Sequence, residues 1–287
     1  MKWIKRNDDQ SNYEDRRGRN GKRATIGGLG TIVIIVIALL LKQNPQQLLD
    51  TVNQVVPSQN STQVDSTRMH ENEDLKVFSL GVFNSANDVW TKIFEEQLNQ
   101  QYRKPFFVTF TDQTQSECGG ANASTGPFYC PGDEKVYIDL AFFHELKNRF
   151  NVSGDLAMAY VTAHEVGHHV QKLLGIIDKM NELRQKLSEE EYNKYSVRLE
   201  LQADFFAGIW VNYAQKMEII ALEDGDVESA LNAANAIGDD TLQKNAQGYT
   251  VPDSFTHGTS EQRMYWFSKG LKTGDINQGD TFSAKEL

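Results

Sequence analysis

Two short motifs of histidine and acidic residues limit what this chain can fold into. The first reads H-E-V-G-H at 164–168, and the second reads E-L-Q-A-D at 200–204. Residues four apart on a helix lie on one face, so His164 and His168 can direct two imidazole nitrogens at a single ion. Both motifs have mostly apolar, helix-forming surroundings. The two motifs therefore predict two buried helices that meet at one metal ion.

The second motif supplies a candidate for the third metal ligand. Glu200 and Asp204 share one helix face, and the residues around them are mainly apolar. Buried carboxylates are costly unless a cation or hydrogen bonds compensate them. A catalytic zinc site has three protein ligands and one open position, so Glu200 is predicted to be the third ligand. Asp204 is predicted to accept the second N–H of a ligand histidine and so to fix its orientation.

Glu165 is the candidate for the general base. It is rotated by about 100° around the helix axis from His164, which places its carboxylate beside the open position of the metal. From there it can take a proton from water and later pass it to the leaving group. The motif also occurs by chance, and a purely structural metal site is the alternative. Structural zinc sites usually have four ligands, often cysteines, so the catalytic interpretation is favoured.

Five blocks of sequence support a family resemblance. They are E-D-R-R-G at 14–18, T-A-H-E-V-G-H-H-V-Q at 162–171, L-E-L-Q-A-D-F-F-A-G at 199–208, A-L-N-A-A-N-A-I-G-D-D at 230–240 and F-T-H-G-T-S-E-Q-R at 255–263. In these blocks the chain resembles the bacterial neutral zinc metallopeptidase family (YpfJ-like), over nearly its whole length. The resemblance implies a membrane-anchored, zincin-like peptidase with one Zn²⁺ per chain and a polypeptide substrate. The chain is also similar to gluzincin peptidases, which implies the same ligand and base roles for the four residues assigned above.

The predicted fold class is α+β, a mostly helical zincin-like domain with a small sheet at residues 75–287. A helix around 84–101 and strands around 106–111 and at 135–140 precede the metal helix, and the rest is helical. The strand at 135–140 is predicted to be an edge strand that pairs with extended substrate backbone. The charged segment 176–195 between the two motifs is either a lid or a solvated hairpin.

His257 is the candidate donor to the oxyanion that forms during peptide hydrolysis. It lies in a loop before a helix whose start is marked by Thr259 or Ser260, and the adjacent Gly258 lets the backbone approach a ligand. A zinc peptidase usually stabilises the oxyanion with a donor beyond the metal. The alternative is that His257 is only an exposed loop residue, and Arg263 could pair with a nearby acid. His169 is predicted to pack or to face solvent.

The first 42 residues predict a membrane anchor. Residues 26–41 contain no charged side chain, and basic residues crowd the N-terminal side of this run. The prediction is a cytoplasmic tail at 1–23, one transmembrane helix at 24–42, a flexible polar stalk at 43–74 and a catalytic domain outside the cytoplasm at the cell membrane. An uncleaved anchor is favoured over a removed signal peptide, because no small-residue cleavage pattern follows the run.

Cys118 and Cys130 are the only two cysteines of the chain. They bracket a glycine-rich segment, which predicts one disulfide in an oxidising compartment, with two free thiols as the alternative. A metal role for the cysteines is disfavoured, because neither C-x-x-C spacing nor neighbouring ligands occur.

Charge and the intact base limit the function classes. Residues 43–287 carry 20 Lys and Arg against 35 Asp and Glu, which excludes nucleic acid and anionic lipid as partners. Two classes remain, an active metallopeptidase and a zincin-like binding or scaffold module that keeps zinc without turnover. Glu165 favours the enzyme, because a binding module needs no general base. Nothing in the sequence indicates an oligomeric state.

Overall fold

The structure is a computed structural model that describes residues 1–18, 72–122 and 125–287. Helices form most of it. The strands are β1 (Lys2–Trp3), β2 (Tyr13–Asp15), β3 (Phe106–Phe110), β4 (Gln113–Ser116), β5 (Gly119–Asn122), β6 (Phe128–Cys130), β7 (Lys135–Asp139) and β8 (Ile220–Ala221). The helices are α1 (Glu73–Ile93), α2 (Ala141–Phe150), α3 (Asp155–Leu173), α4 (Ile176–Arg184), α5 (Glu189–Lys216), α6 (Asp226–Ala236), α7 (Asp239–Gln247) and α8 (Ser260–Thr273). The predicted α+β class, mostly helical with small sheets, is confirmed for these residues.

Helix α5 lies at the centre of the helical part. It begins with a capping box, in which the backbone N–H of Glu191 donates to the Ser188 hydroxyl and the backbone N–H of Ser188 donates to the Glu191 carboxylate. Its buried residues lie between Asn193 and Ala214, and it packs against α3 and α8. Helix α3 also packs against α1 and α6. This arrangement buries the second motif between two neighbouring helices.

Helices α5 and α8 approach each other closely at two glycines. A Cβ atom on Gly208 would lie 2.1 Å from the carbonyl oxygen of Phe267, and one on Gly270 would lie 2.0 Å from that of Phe205. No side chain fits at either position without moving a helix backbone. The two glycines therefore set the distance between α5 and α8.

Replacing Gly270 by alanine is expected to lower the free energy of unfolding by about 3 kcal/mol, because the added methyl group must push two buried helices apart. Urea denaturation followed by circular dichroism measures the change. Lys272→Ala, at an exposed position on the same helix, is the control, with an expected change within about 0.5 kcal/mol. A Gly270→Ala variant as stable as the wild type would contradict the close helix contact.

The main sheet has the strand order β2-β3-β7-β6. Strand β3 pairs parallel with both β2 and β7, and β6 pairs antiparallel with β7. The prediction of a strand at 135–140 is confirmed, but its prediction as an edge strand is wrong. Both sides of β7 are already hydrogen bonded to β3 and β6, so its backbone has no edge to offer a substrate.

The predicted disulfide joins Cys118 and Cys130. Cys118 lies in the turn of the antiparallel β4–β5 hairpin, and Cys130 is the last residue of β6. The disulfide therefore attaches this hairpin to an edge strand of the main sheet.

Residues 1–18 form part of the same folded unit as the helices. Strand β1 pairs with β8, strand β2 pairs with β3, and the buried Arg17 forms ion pairs with Asp15 and Glu73. The segment predicted to be a cytoplasmic tail thus packs onto the domain predicted to lie outside the cytoplasm. A single membrane crossing between them would place them on opposite sides, so the predicted single-pass location at the cell membrane is wrong.

The helices of the described residues also lack a membrane span. None of them is both long and apolar enough to cross a bilayer. The segment 24–42, predicted as the anchor, lies outside the described residues, as does most of the predicted stalk at 43–74. Helix α1 begins at Glu73, close to the predicted start of the folded domain.

Candidate metal centre

The side chains of His164, His168 and Glu200 meet between α3 and α5. One ligand atom from each lies within 4.8 Å of the others. The Nε2 atom of His164 is 3.1 Å from one carboxylate oxygen of Glu200, and the Nε2 atom of His168 is 3.6 Å from the other. Two ligand atoms on a tetrahedral zinc ion are separated by about 3.4 Å, given bond lengths of about 2.0–2.2 Å. The three side chains therefore have the spacing of a metal site.

Each histidine of the cluster has a partner on its second ring nitrogen. The Nδ1 atom of His164 lies 2.8 Å from an oxygen of Asp204, and that of His168 lies 2.8 Å from the Gln171 side-chain oxygen. When Nδ1 carries the donated proton, Nε2 keeps its lone pair and can bind a metal. Two imidazole nitrogens and one carboxylate are a donor set that suits zinc, so these residues fit the ion that their family resemblance implies.

The charges of the cluster perturb its ionisation. Burial lowers the pKa of His164, but the carboxylates of Asp204 and Glu200 outweigh it and raise that pKa to about 10. Burial also lowers the pKa of His168, but the carboxylate of Glu200 outweighs burial and raises that pKa overall. The pKa of Glu200 lies well below its usual value, because the two histidines outweigh its burial. A metal that binds here must displace a proton from His164.

Asp204 is the centre of a buried network behind His164. It is fully buried, and the guanidinium of Arg263 donates to its two oxygens at 2.8 and 2.9 Å. The hydroxyl of Tyr160 donates to the same carboxylate at 2.5 Å. Burial raises the pKa of Asp204, but Arg263 and His164 outweigh it and lower the pKa to about 2. The structure therefore places Arg263 behind the cluster, paired with an acid.

Gln171 is a site residue that sequence reasoning missed. Its side chain is fully buried, and its amide nitrogen donates to the carbonyl oxygen of Leu199 at 2.7 Å and to Gln202 at 3.1 Å. It thus connects the His168 ring to helix α5. Its position three residues after His168 puts both side chains on one helix face, which was the available signal.

Glu165 lies on α3 between the two histidines and is 8% exposed. Within the described part of the chain, its carboxylate makes no hydrogen bond or ion pair, which sets it apart from Glu200 and Asp204. Its negative charge contributes to the raised pKa of His168, after burial and the larger effect of Glu200.

His257 lies in the loop before α8, with half of its side chain exposed. The predicted helix start at Thr259 is confirmed, and it forms a capping box with Gln262. Gly258 has a φ angle of +91°, and a Cβ atom there would lie 3.1 Å from Val197 and 3.4 Å from Leu201 on α5. Burial lowers the pKa of His257, but Asp239 and the charge of Glu200 raise it overall. The loop therefore brings this histidine into the electrostatic field of the metal ligand.

His169 packs in the protein interior, apart from the three-residue cluster. Its ring is fully buried, 2.9 Å from the hydroxyl of Tyr129 and 2.6 Å from the carbonyl oxygen of Arg103. Burial lowers its pKa to about 4. The prediction that His169 packs, rather than binding a metal, agrees with this environment.

The two histidines and the glutamate between the two helices form a group that could hold a metal ion. A family model described as "Putative neutral zinc metallopeptidase" matches residues 1–282. The chain belongs to this family of zinc metallopeptidases.

Relatives match over almost the whole chain. The protein named "Uncharacterized protein YpfJ" from Escherichia coli strain K12 is 43% identical over 290 residues, which cover 98% of this chain and 99% of that protein. "Uncharacterized protein Rv2575" from Mycobacterium tuberculosis strain H37Rv is 39% identical over 268 residues, which cover 87% of this chain and 86% of that protein. No solved structure matches the chain.

Proposed function

We propose that this protein is a zinc-dependent metallopeptidase that hydrolyses peptide bonds. The observation that carries the proposal is the His164, His168 and Glu200 cluster, with Glu165 beside it on the same helix as the two histidines. The two motifs on packed helices support a zincin-like arrangement of the gluzincin type. Membership of a zinc metallopeptidase family supports the peptide bond as the target.

In the proposed mechanism, His164, His168 and Glu200 would hold one Zn²⁺. When bound, the ion supplies Lewis acidity, which polarises the scissile carbonyl and makes water a stronger acid. Asp204 and Gln171 keep the two imidazole rings in the orientation that directs Nε2 into the site. Glu165 takes the proton of the attacking water and then delivers it to the amide nitrogen as the C–N bond breaks.

His257 is proposed to stabilise the negative charge that develops on the carbonyl oxygen. Its half-exposed ring can reach a substrate, and the raised pKa favours the protonated, hydrogen-donating form. A donor of this kind typically contributes about 10²–10³ in kcat.

The alternative is a module that keeps zinc but has no turnover. Such a module would need the three ligands and their partners, but it would have no use for Glu165. The Glu165 carboxylate makes no hydrogen bond in the described part of the chain, so it has no evident role in holding the ligands, which favours the enzyme.

Removal of the metal should test the proposal directly. The full chain is the correct material, because residues 1–18 pair with the rest of the fold. We expect one zinc per chain by elemental analysis and cleavage of a mixed peptide library by mass spectrometry. A chelator should abolish cleavage, and added zinc should restore it. A zinc-loaded protein that cleaves no peptide would favour the binding module, and a chain that binds no metal would refute both.

A further inference from the structure

The carboxylate of Asp239 holds the loop that carries His257. One of its oxygens accepts three consecutive backbone N–H groups, from Thr256 at 2.8 Å, His257 at 2.6 Å and Gly258 at 3.0 Å. The backbone N–H of Asp239 donates in return to the carbonyl oxygen of Gly258 at 2.9 Å. Hydrogen bonds to a charged acceptor are about twice as strong as neutral ones, so the three bonds to the carboxylate restrain the loop strongly, and the backbone bond adds to them.

The second oxygen of Asp239 faces the ring of His257. It lies 3.3 Å from Nδ1, and the hydroxyl of Thr256 lies 2.9 Å from the same nitrogen. Both partners engage Nδ1, which leaves Nε2 as the ring nitrogen that can act on a substrate. Asp239 therefore acts on the backbone and the side chain of His257 together.

The adjacent Asp240 has a different contact. Its carboxylate accepts the backbone N–H of Ser260 at 2.7 Å and the Ser260 hydroxyl at 2.9 Å. These bonds anchor the first residue of α8 and do not involve His257. Two neighbouring aspartates of the sequence block at 230–240 thus hold two different parts of the same turn.

We propose that Asp239 is a positioning residue for His257 in peptide hydrolysis. The inference rests on the proposed function, since it assigns Asp239 to the orientation of a donor used in that reaction. Asp239 sets the position of the loop against α5, and through Nδ1 it directs Nε2 of His257 towards the substrate. A misplacement of about 1 Å in such a group can lower the rate by about 100-fold.

The test is a double-mutant cycle between Asp239 and His257 in the full-length, zinc-loaded protein. Asp239→Asn is expected to lower kcat by about 10–100-fold with little change in KM or zinc content. In a His257→Ala background, the same substitution should cause no further loss, because the group that it positions is already gone. Asp239→Ser is a second variant for the case that the amide prevents folding. Asp240→Asn is the matched control, expected to lower stability and to leave kcat and KM near the wild-type values.

Amide hydrogen exchange gives a second measurement that requires no activity. Backbone amides of 256–258 should exchange faster in Asp239→Asn and keep their wild-type rates in Asp240→Asn. Equal losses of kcat in both backgrounds of the cycle, or unchanged exchange at 256–258, would overturn the role of Asp239. A wild-type protein that cleaves no peptide would refute the proposed function instead, and the exchange rates would then decide whether Asp239 positions the loop.

Discussion

A Glu165→Gln variant is expected to bind zinc as the wild type does and to lose nearly all turnover. The amide has the size of the carboxylate but cannot take up a proton, so the loss in kcat should be about 10²–10⁴-fold, as for other general acid–base residues. Glu165 makes no hydrogen bond within the described residues, so the substitution should leave the metal ligands in place. Steady-state kinetics measures kcat, and elemental analysis of the same sample measures the zinc content.

Two other glutamates provide matched controls for this variant. Glu200→Gln removes a ligand charge and should lose zinc itself, together with activity. Glu189→Gln, at an exposed position in the first turn of α5, should change neither. A Glu165→Gln variant with wild-type kcat would show that another group accepts the proton, and one that loses zinc would show that Glu165 supports the metal instead.

An Arg263→Met variant should lose about 3–5 kcal/mol of stability, which is typical when one partner of a buried ion pair is removed. The carboxylate of Asp204 would stay fully buried, with Tyr160 and His164 as its remaining partners. Because Asp204 also orients His164, zinc affinity is expected to fall by about 10–100-fold. Urea denaturation of the chelated protein and competition with a zinc-binding dye measure the two effects separately.

The double variant Arg263→Met with Asp204→Asn distinguishes charge from packing. It buries neither the cation nor the anion, so it should lose less stability than the sum of the two single variants. If the losses simply add, the contribution of Arg263 comes from packing and not from its charge. Zinc affinity should stay low in the double variant, because the amide is a weaker partner for His164 than the carboxylate.

The helical part of the site could be predicted because its geometry is local. The spacing of His164 and His168 places both rings on one helix face, and Glu200 and Asp204 follow the same rule on a second helix. The start of α8 at Thr259 and the strand at 135–140 also depend on neighbouring residues. The structure brings the three predicted ligands together between α3 and α5.

The N-terminal segment shows where this reasoning fails. A charged stretch before an apolar run has the local pattern of a cytoplasmic tail. In the structure, β1 and β2 pair with strands that lie far along the chain, at Ile220–Ala221 and Phe106–Phe110. Strand pairing depends on the partner, and a two- or three-residue strand has too little pattern of its own to reveal one.

The sequence by itself determined the candidate ligand set, the base candidate, the disulfide pair and the family. Each of these depends on residue identity and short spacing. For the ligands and the base, helix periodicity then determines which side chains share a face. Only the tertiary structure decided which groups support the site, since Arg263 lies 59 residues from Asp204 and His257 lies 18 residues from Asp239. Most buried polar groups have a hydrogen-bond partner, but which partner that is depends on how distant helices pack.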